Sequence, residues 1–294
     1  MKPMLYELFI FIFLFFSCGN ISVSEKQKPV QEIAFSEIQV DKSLIDPSGK
    51  TLEARFLLPE GFERTKEDSN SFGNYLRKLS LKPNGSKVKY YNGEEKNSEG
   101  VYDAVVDLSI GMKDLHQCAD AVMRLHAEYL FEQKQYDKIH FNFTNGFRVD
   151  YSEWMKGKRI AVNGNKTSWK QSAQPSNTYK DFWNYMEMIF SYAGSLSLSK
   201  EMKSVPIEDL QIGDVFILGG SPGHAIIVVD VAVNSKTNQK IFMLAQSYMP
   251  AQETQILKNP NDEKLSPWYS ADFGETLHTP EWTFTKNDLK RFQE

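Results

Sequence analysis

Cys118, His224 and Gln246 are the residues whose types and order could do chemistry together. Nucleophilic catalysis by cysteine needs a thiolate, a base that makes or holds it, and a group that orients that base. Leu115, Cys118, Ala119, Val122, Leu125 and Tyr129 recur at helical spacing and predict a helix over residues 114–133, with Asp114 placed to cap it. Cys118 then falls in the first turn or so, where the partial positive charge of a helix N-terminus favours thiolate over thiol. His224 opens a predicted strand, Ala225–Asp230, that follows a Gly/Pro/Ser turn after the strand Asp209–Ile217. Gln246 stands near the end of the next strand, Lys240–Tyr248, where its amide could hold the imidazole tautomer. A structural alternative stands beside each role. The Cys118 stripe is also that of a core helix, His224 could be a tethered strand residue, and Gln246 could simply pair with backbone.

Other residues offer less. Ser221 and Gly223, in the turn before His224, are candidate substrate contacts. Trp154, Trp169 and Trp268 could form a sugar- or peptide-binding surface, or pack in the core. Asp103, Asp107 and Asp150 could serve as an acid–base pair for glycan hydrolysis, although alternating acids on a strand usually mark its wet face. His116 and Cys118 point to different helix faces, and no second cysteine or spaced histidine pair accompanies them. No metal and no other cofactor is expected. His126 and His140 read as surface or packing residues.

The elements that must position these groups read as an α+β domain. Leu52–Leu58 predicts a strand, Ser71–Leu79 a short helix, Val88–Tyr91 a strand between Asn-Gly turns, and Val101–Ile110 a half-buried strand. A hairpin is expected across Asn145-Gly146, with Ile139, Phe141 and Phe143 facing Phe147, Val149 and Tyr151. Asn163–Asn177 reads as a long surface loop, and Asn177 caps a helix running to about Ala193. Asp209–Ile217, Ala225–Val233 and Lys240–Tyr248 predict three strands of an antiparallel sheet. The tail carries Trp282 and Phe284, then a short helix with Leu289 and Phe292.

The chain of 294 residues is 41% hydrophobic and 24% charged, long enough for a substantial core. A net charge of −4 with no basic block disfavours nucleic acid as a partner. Lys2 followed by the apolar run Leu8–Phe16 is too short to span a bilayer comfortably but suits a signal peptide over residues 1–17. Residues 18–35 are polar and aperiodic, the character of a tether, leaving 36–294 as one domain.

Two resemblances follow from these residues. Phe15-Phe16-Ser17-Cys18-Gly19 resembles a bacterial lipoprotein signal, which implies lipidation of Cys18 and a membrane partner through that lipid, on the outer membrane or periplasmic face of the envelope. Cys118 would then have no disulfide partner within the chain. A helix-borne cysteine, then Gly213-Asp214, then Gly223-His224, then a polar residue ending the next strand resembles the CHAP and NlpC-type cysteine peptidases. That resemblance implies a papain-like α+β fold, cleavage of amide bonds in cell-wall peptide, and the roles of nucleophile, base and orienting group for Cys118, His224 and Gln246. The peptidases usually carry Asn, Glu or His at the third position, and their shorter cores leave residues 36–100 and 134–205 unmatched. Over most of its length the chain is similar to bacterial lipoproteins of the domain of unknown function numbered 4846, notably in Gln117–Leu125 and Gly213–Asp230. The expected function is a cysteine-dependent amide hydrolase or transferase. The alternative is a catalytically silent module on the same fold that binds glycan or protein.

Overall fold

The run from His224 to Asn234 holds five β-branched valines and isoleucines among its first eight residues, and it forms the longest strand among the described residues. The computed structural model describes residues 43–293, so the expected signal segment, tether and lipidated Cys18 lie outside the described residues. In chain order the elements begin with helix α1 (Leu52–Arg55), strand β1 (Phe62–Arg64), helix α2 (Phe72–Arg77) and strand β2 (Tyr102–Val105). Helix α3 (Cys118–Glu132) follows, then a hairpin of β3 (His140–Asn142) and β4 (Arg148–Asp150). Helix α4 (Tyr151–Met155) leads into a second hairpin, β5 (Lys158–Asn163) and β6 (Lys166–Gln171). Helices α5 (Tyr179–Tyr192) and α6 (Ser195–Glu201) precede β7 (Lys203–Ser204), β8 (Val215–Leu218), β9 (His224–Asn234) and β10 (Lys240–Gln246). The chain continues through β11 (Gln255–Leu257), β12 (Tyr269–Ser270), the hairpin β13 (Thr276–His278) and β14 (Thr283–Thr285), and β15 (Leu289–Arg291).

Among the described residues, nine strands form one sheet in the order β2-β11-β10-β9-β8-β15-β7, with β1 also on β9 and β12 also on β10. Every pair in it is antiparallel. The protein is therefore a mixed α/β molecule with a large antiparallel sheet and few helices. β9 is buried from His224 through Ala232, so both of its faces are covered. Helices α2 and α3 pack on β9, and Phe216, Phe242, Phe273 and Phe284 form a cluster around β8 and β10. Phe216, Phe242 and Phe284 are fully buried, and each contributes about 1.5–3 kcal/mol.

Two buried aspartates pin distant segments to this sheet. Asp230 on β9 accepts from Arg64 Nε and Arg77 Nε, each at 2.6 Å, and from the Val231 amide at 2.9 Å. The same guanidinium groups reach the Phe56 and Thr65 carbonyls, which fastens the segment of α1, β1 and α2 to the central strand. Asp214 accepts from Arg291 at 2.6 and 2.8 Å and so draws β15 against β8.

The expected α2 helix, the hairpin at Asn145-Gly146, the α5 helix and the antiparallel order of β8, β9 and β10 are all present. Several elements differ. Leu52–Leu58 is not a strand: the Thr51 hydroxyl caps a short helix there, and the Arg55 guanidinium turns back to the Gly49 carbonyl at 2.7 Å. Around Val88–Tyr91 only isolated bridges form, at Lys89 and Tyr90. Asn163–Asn177 is largely the β5–β6 hairpin, turning at Gly164 with φ +61° and opening into loop after Gln171. The tail places Leu289 in a strand that extends the sheet, because pairing with β8 satisfies its backbone where an isolated helix turn would not.

Candidate functional site

Helix α3 begins at Cys118 itself, later than the periodicity suggests. Asp114 does not cap it: its Oδ1 accepts from the Ala251 amide at 2.7 Å and from Gln117 Nε2 at 3.1 Å. The cap interaction comes from inside the helix, where Asp120 Oδ2 accepts from the Gln117 amide at 3.0 Å. The residues before Cys118 are tied to the loop after β10. His116 Nδ1 donates to the Gln252 carbonyl at 3.3 Å, and Ser247 Oγ lies 3.0 Å from the His116 carbonyl. These bonds set the helix N-terminus beside the strand ends that carry His224 and Gln246.

The half-buried Cys118 sulfur receives backbone N–H groups from Ala119 and from Ala225, the residue next to His224. Burial raises the thiol above its ordinary value, the Asp120 carboxyl adds to that, and the amides oppose it without cancelling it. The helix N-terminus therefore does not leave Cys118 as a resting thiolate. Asp120 is itself buried, with Oδ1 unpartnered, and burial pushes its carboxyl up to about 8.

His224 is 1% exposed and lies under the rings of Tyr248 and Trp282, at centroid distances of 4.8 and 5.2 Å. Its Nε2 is 2.9 Å from Gln246 Oε1. A carbonyl oxygen only accepts, so Nε2 carries the proton and Nδ1 keeps the free lone pair. Gln246 Nε2 in turn donates to Glu281 Oε2 at 2.6 Å, and Lys96 Nζ reaches both Glu281 oxygens at 2.8 and 2.7 Å. Burial pulls His224 down to about 4, against the opposing pull of Gln246 and Glu281. The imidazole is thus neutral at pH 7, beside a neutral thiol. Among the described residues no hydrogen bond joins the two side chains, and the Ala225 amide lies near enough to the sulfur to favour its thiolate.

The turn before His224 is close-packed. A Cβ on Gly223 would stand 2.6 Å from the Gly220 carbonyl oxygen and 2.8 Å from that of Leu218, and would also meet the Ser195 hydroxyl. Ser221 is exposed at the tip of this turn. The three tryptophans expected at a binding surface are not among the groups around His224. Trp154, expected at a binding surface, is 4% exposed, against Tyr185 and under the Arg159 guanidinium at 4.2 Å. Trp169 lies on β6 near Phe147, and Trp268 is fully buried with its Nε1 donating to the Leu57 carbonyl. Asp103 and Asp150 pair with Lys258 and Arg148 rather than with each other. Among the described residues no group of three or more His, Cys, Asp or Glu side chains converges as a metal site.

Sequence reading missed Lys96 and Glu281, which complete the chain of hydrogen bonds from His224. Both stand outside the regular strands, where no periodicity marks them. It also missed a cleft of about 960 Å³ at another part of the surface. Phe72, His126, Tyr129, Arg148, Glu201 and Phe292 are among its lining residues; Cys118, His224 and Gln246 are not.

Fold and site together define a mixed α/β protein whose large antiparallel sheet presents a histidine–amide–carboxylate–ammonium chain next to a cysteine at a helix N-terminus. The chain belongs to the family of the domain of unknown function 4846, whose model matches residues 52–291. That span contains Lys96, Cys118, His224, Gln246 and Glu281. Neither the curated proteins nor the solved structures give a match.

Proposed function

We propose that this protein is a cysteine-dependent amide hydrolase or transferase on a papain-like arrangement, anchored in the bacterial envelope through lipidated Cys18. The carrying observation is the order of groups at one place: Cys118 sulfur on the Ala225 amide, and His224 Nε2 on Gln246 Oε1 at 2.9 Å. Peptidoglycan stem peptide is the substrate class, from the resemblance to cell-wall peptidases and from the N-terminal segment.

Because thiol and imidazole are both neutral at rest, proton transfer accompanies attack. As Cys118 sulfur bonds to the carbonyl carbon, its proton passes to His224 Nδ1. Backbone N–H groups in the first turn of α3 receive the oxyanion. When the tetrahedral centre collapses, the C–N bond breaks and the His224 proton leaves with the amine. Water then hydrolyses the thioester, or a second amine takes the acyl group. Gln246 holds Nε2 throughout, which leaves Nδ1 to take up and release the proton. Ser221 and Gly223 contribute the turn backbone along which a substrate would lie.

Incubation with stem-peptide fragments, followed by detection of new amino groups, tests this reading. Release by the wild type that is lost in both Cys118→Ala and His224→Ala is expected. No release by the wild type, or undiminished release by Cys118→Ala, rejects it. The second reading, a silent binding module, is favoured by the separate cleft with its Phe72, Tyr129 and Phe292 rings. Retention of glycan or partner binding by a Cys118→Ala, His224→Ala double variant that also matches an inactive wild type would select it.

A further inference from the structure

The chain of contacts from His224 does not end at Gln246, and its outer members carry a consequence for which ring nitrogen is basic. A glutamine amide presents either its oxygen or its nitrogen to a neighbour after a half-turn, and the two faces impose opposite tautomers on an imidazole. With oxygen toward His224, Nε2 is protonated and Nδ1 is the base. With nitrogen toward it, Nε2 becomes the acceptor and Nδ1 carries the proton. His224 alone cannot choose between them, because a neutral imidazole satisfies both.

We propose that Glu281, held by Lys96, is the positioning residue that makes this choice and keeps His224 in the form with Nδ1 free. The proposal rests on the reading of His224 as the base for Cys118. A carboxylate that receives a lysine ammonium on both oxygens is an acceptor, so its 2.6 Å contact to Gln246 is satisfied only when the amide nitrogen faces it. That turns the amide oxygen to His224 at 2.9 Å. Glu281 is held in place by Lys96, whose side chain is 5% exposed and whose ammonium bonds both carboxylate oxygens. Competing partners have little access to the amide: Gln246 is 1% exposed, and the Trp282 ring that covers His224 follows Glu281 in the chain. Glu281 touches neither the sulfur nor the imidazole. It acts through Gln246 alone.

The test is the ¹⁵N spectrum of the full chain labelled at histidine ring nitrogens, with His224 assigned by its loss in His224→Gln. The wild type is expected to show His224 as a single tautomer protonated at Nε2. Glu281→Ala releases the amide, so a second population protonated at Nδ1 is expected, with Cys118 alkylation by iodoacetamide at pH 7 slowed about tenfold, the scale of one lost charge-assisted hydrogen bond. Glu281→Gln keeps a side-chain oxygen that can accept from Gln246 and restores much of both signals. A wild-type His224 protonated at Nδ1 overturns the proposal without any variant, and so does an unchanged tautomer in a folded Glu281→Ala protein. If the tautomer shifts in Glu281→Ala while neither that variant nor His224→Ala slows alkylation, positioning stands and the cysteine–histidine reading falls.

Discussion

The buried carboxyl of Asp120 makes a sharp prediction about stability against pH. Its side chain is 6% exposed with Oδ1 unpartnered, and its pKa rises from 3.8 to about 8 on folding. In the unfolded chain the group ionises above its ordinary value, while in the folded protein it stays protonated until about pH 8. Stability from this group is therefore fully present below the unfolded value and is lost as pH rises toward the folded one, at about 1.4 kcal/mol per pH unit. Between pH 5 and pH 7 the loss amounts to about 3 kcal/mol. Asp120→Asn removes the titration while keeping an oxygen to accept from the Gln117 amide, the role Oδ2 plays at 3.0 Å. The new NH₂ adds a buried donor whose cost, about 1–3 kcal/mol, does not vary with pH. Urea denaturation of both proteins at pH 5, 6 and 7 should therefore show the variant gaining on the wild type at each step, whatever the starting offset. Because the Asp120 charge also raises the neighbouring thiol, the same variant should move Cys118 alkylation to lower pH. Parallel stability curves for the two proteins would refute the reasoning.

Two further substitutions probe the framework. Asp230→Ala leaves Arg77 buried and Arg64 part-buried without their shared carboxylate, and should cost about 3–5 kcal/mol in urea denaturation. Gly223→Ala drives a methyl group into the Leu218 and Gly220 carbonyls, so the turn must shift. A loss of about 1–3 kcal/mol is expected, with His224 displaced from Gln246 and its ring ¹⁵N resonances altered.

Local pattern carried much of this architecture. The Val/Ile run after His224 reads as a strand, Ser71–Leu79 as a short helix and Asn145-Gly146 as a hairpin turn, and all three are present. Cys118, His224 and Gln246 were legible because each sits on a regular element, where spacing gives a direction. Where local signals were weak, the reading went astray. Leu52–Leu58 looks like a strand until the Thr51 cap and the buried Arg55 turn it into helix, and Leu289 looks helical until β8 offers it a partner.

The sequence by itself determined the type of α3, α5 and β8 to β10 and placed Cys118, His224 and Gln246 on or beside them. Only the tertiary structure decided what state they are in. Charge and proton position depend on burial and on partners brought from elsewhere in the chain. Burial raises the Cys118 thiol and lowers His224, although a helix N-terminus alone would have favoured a thiolate. Glu281 reaches Gln246, and Lys96 reaches Glu281, from segments with no periodicity, through contacts that span 35 residues in the first case and 185 in the second. No local rule encodes such a contact, because it exists only once the sheet has brought the segments together.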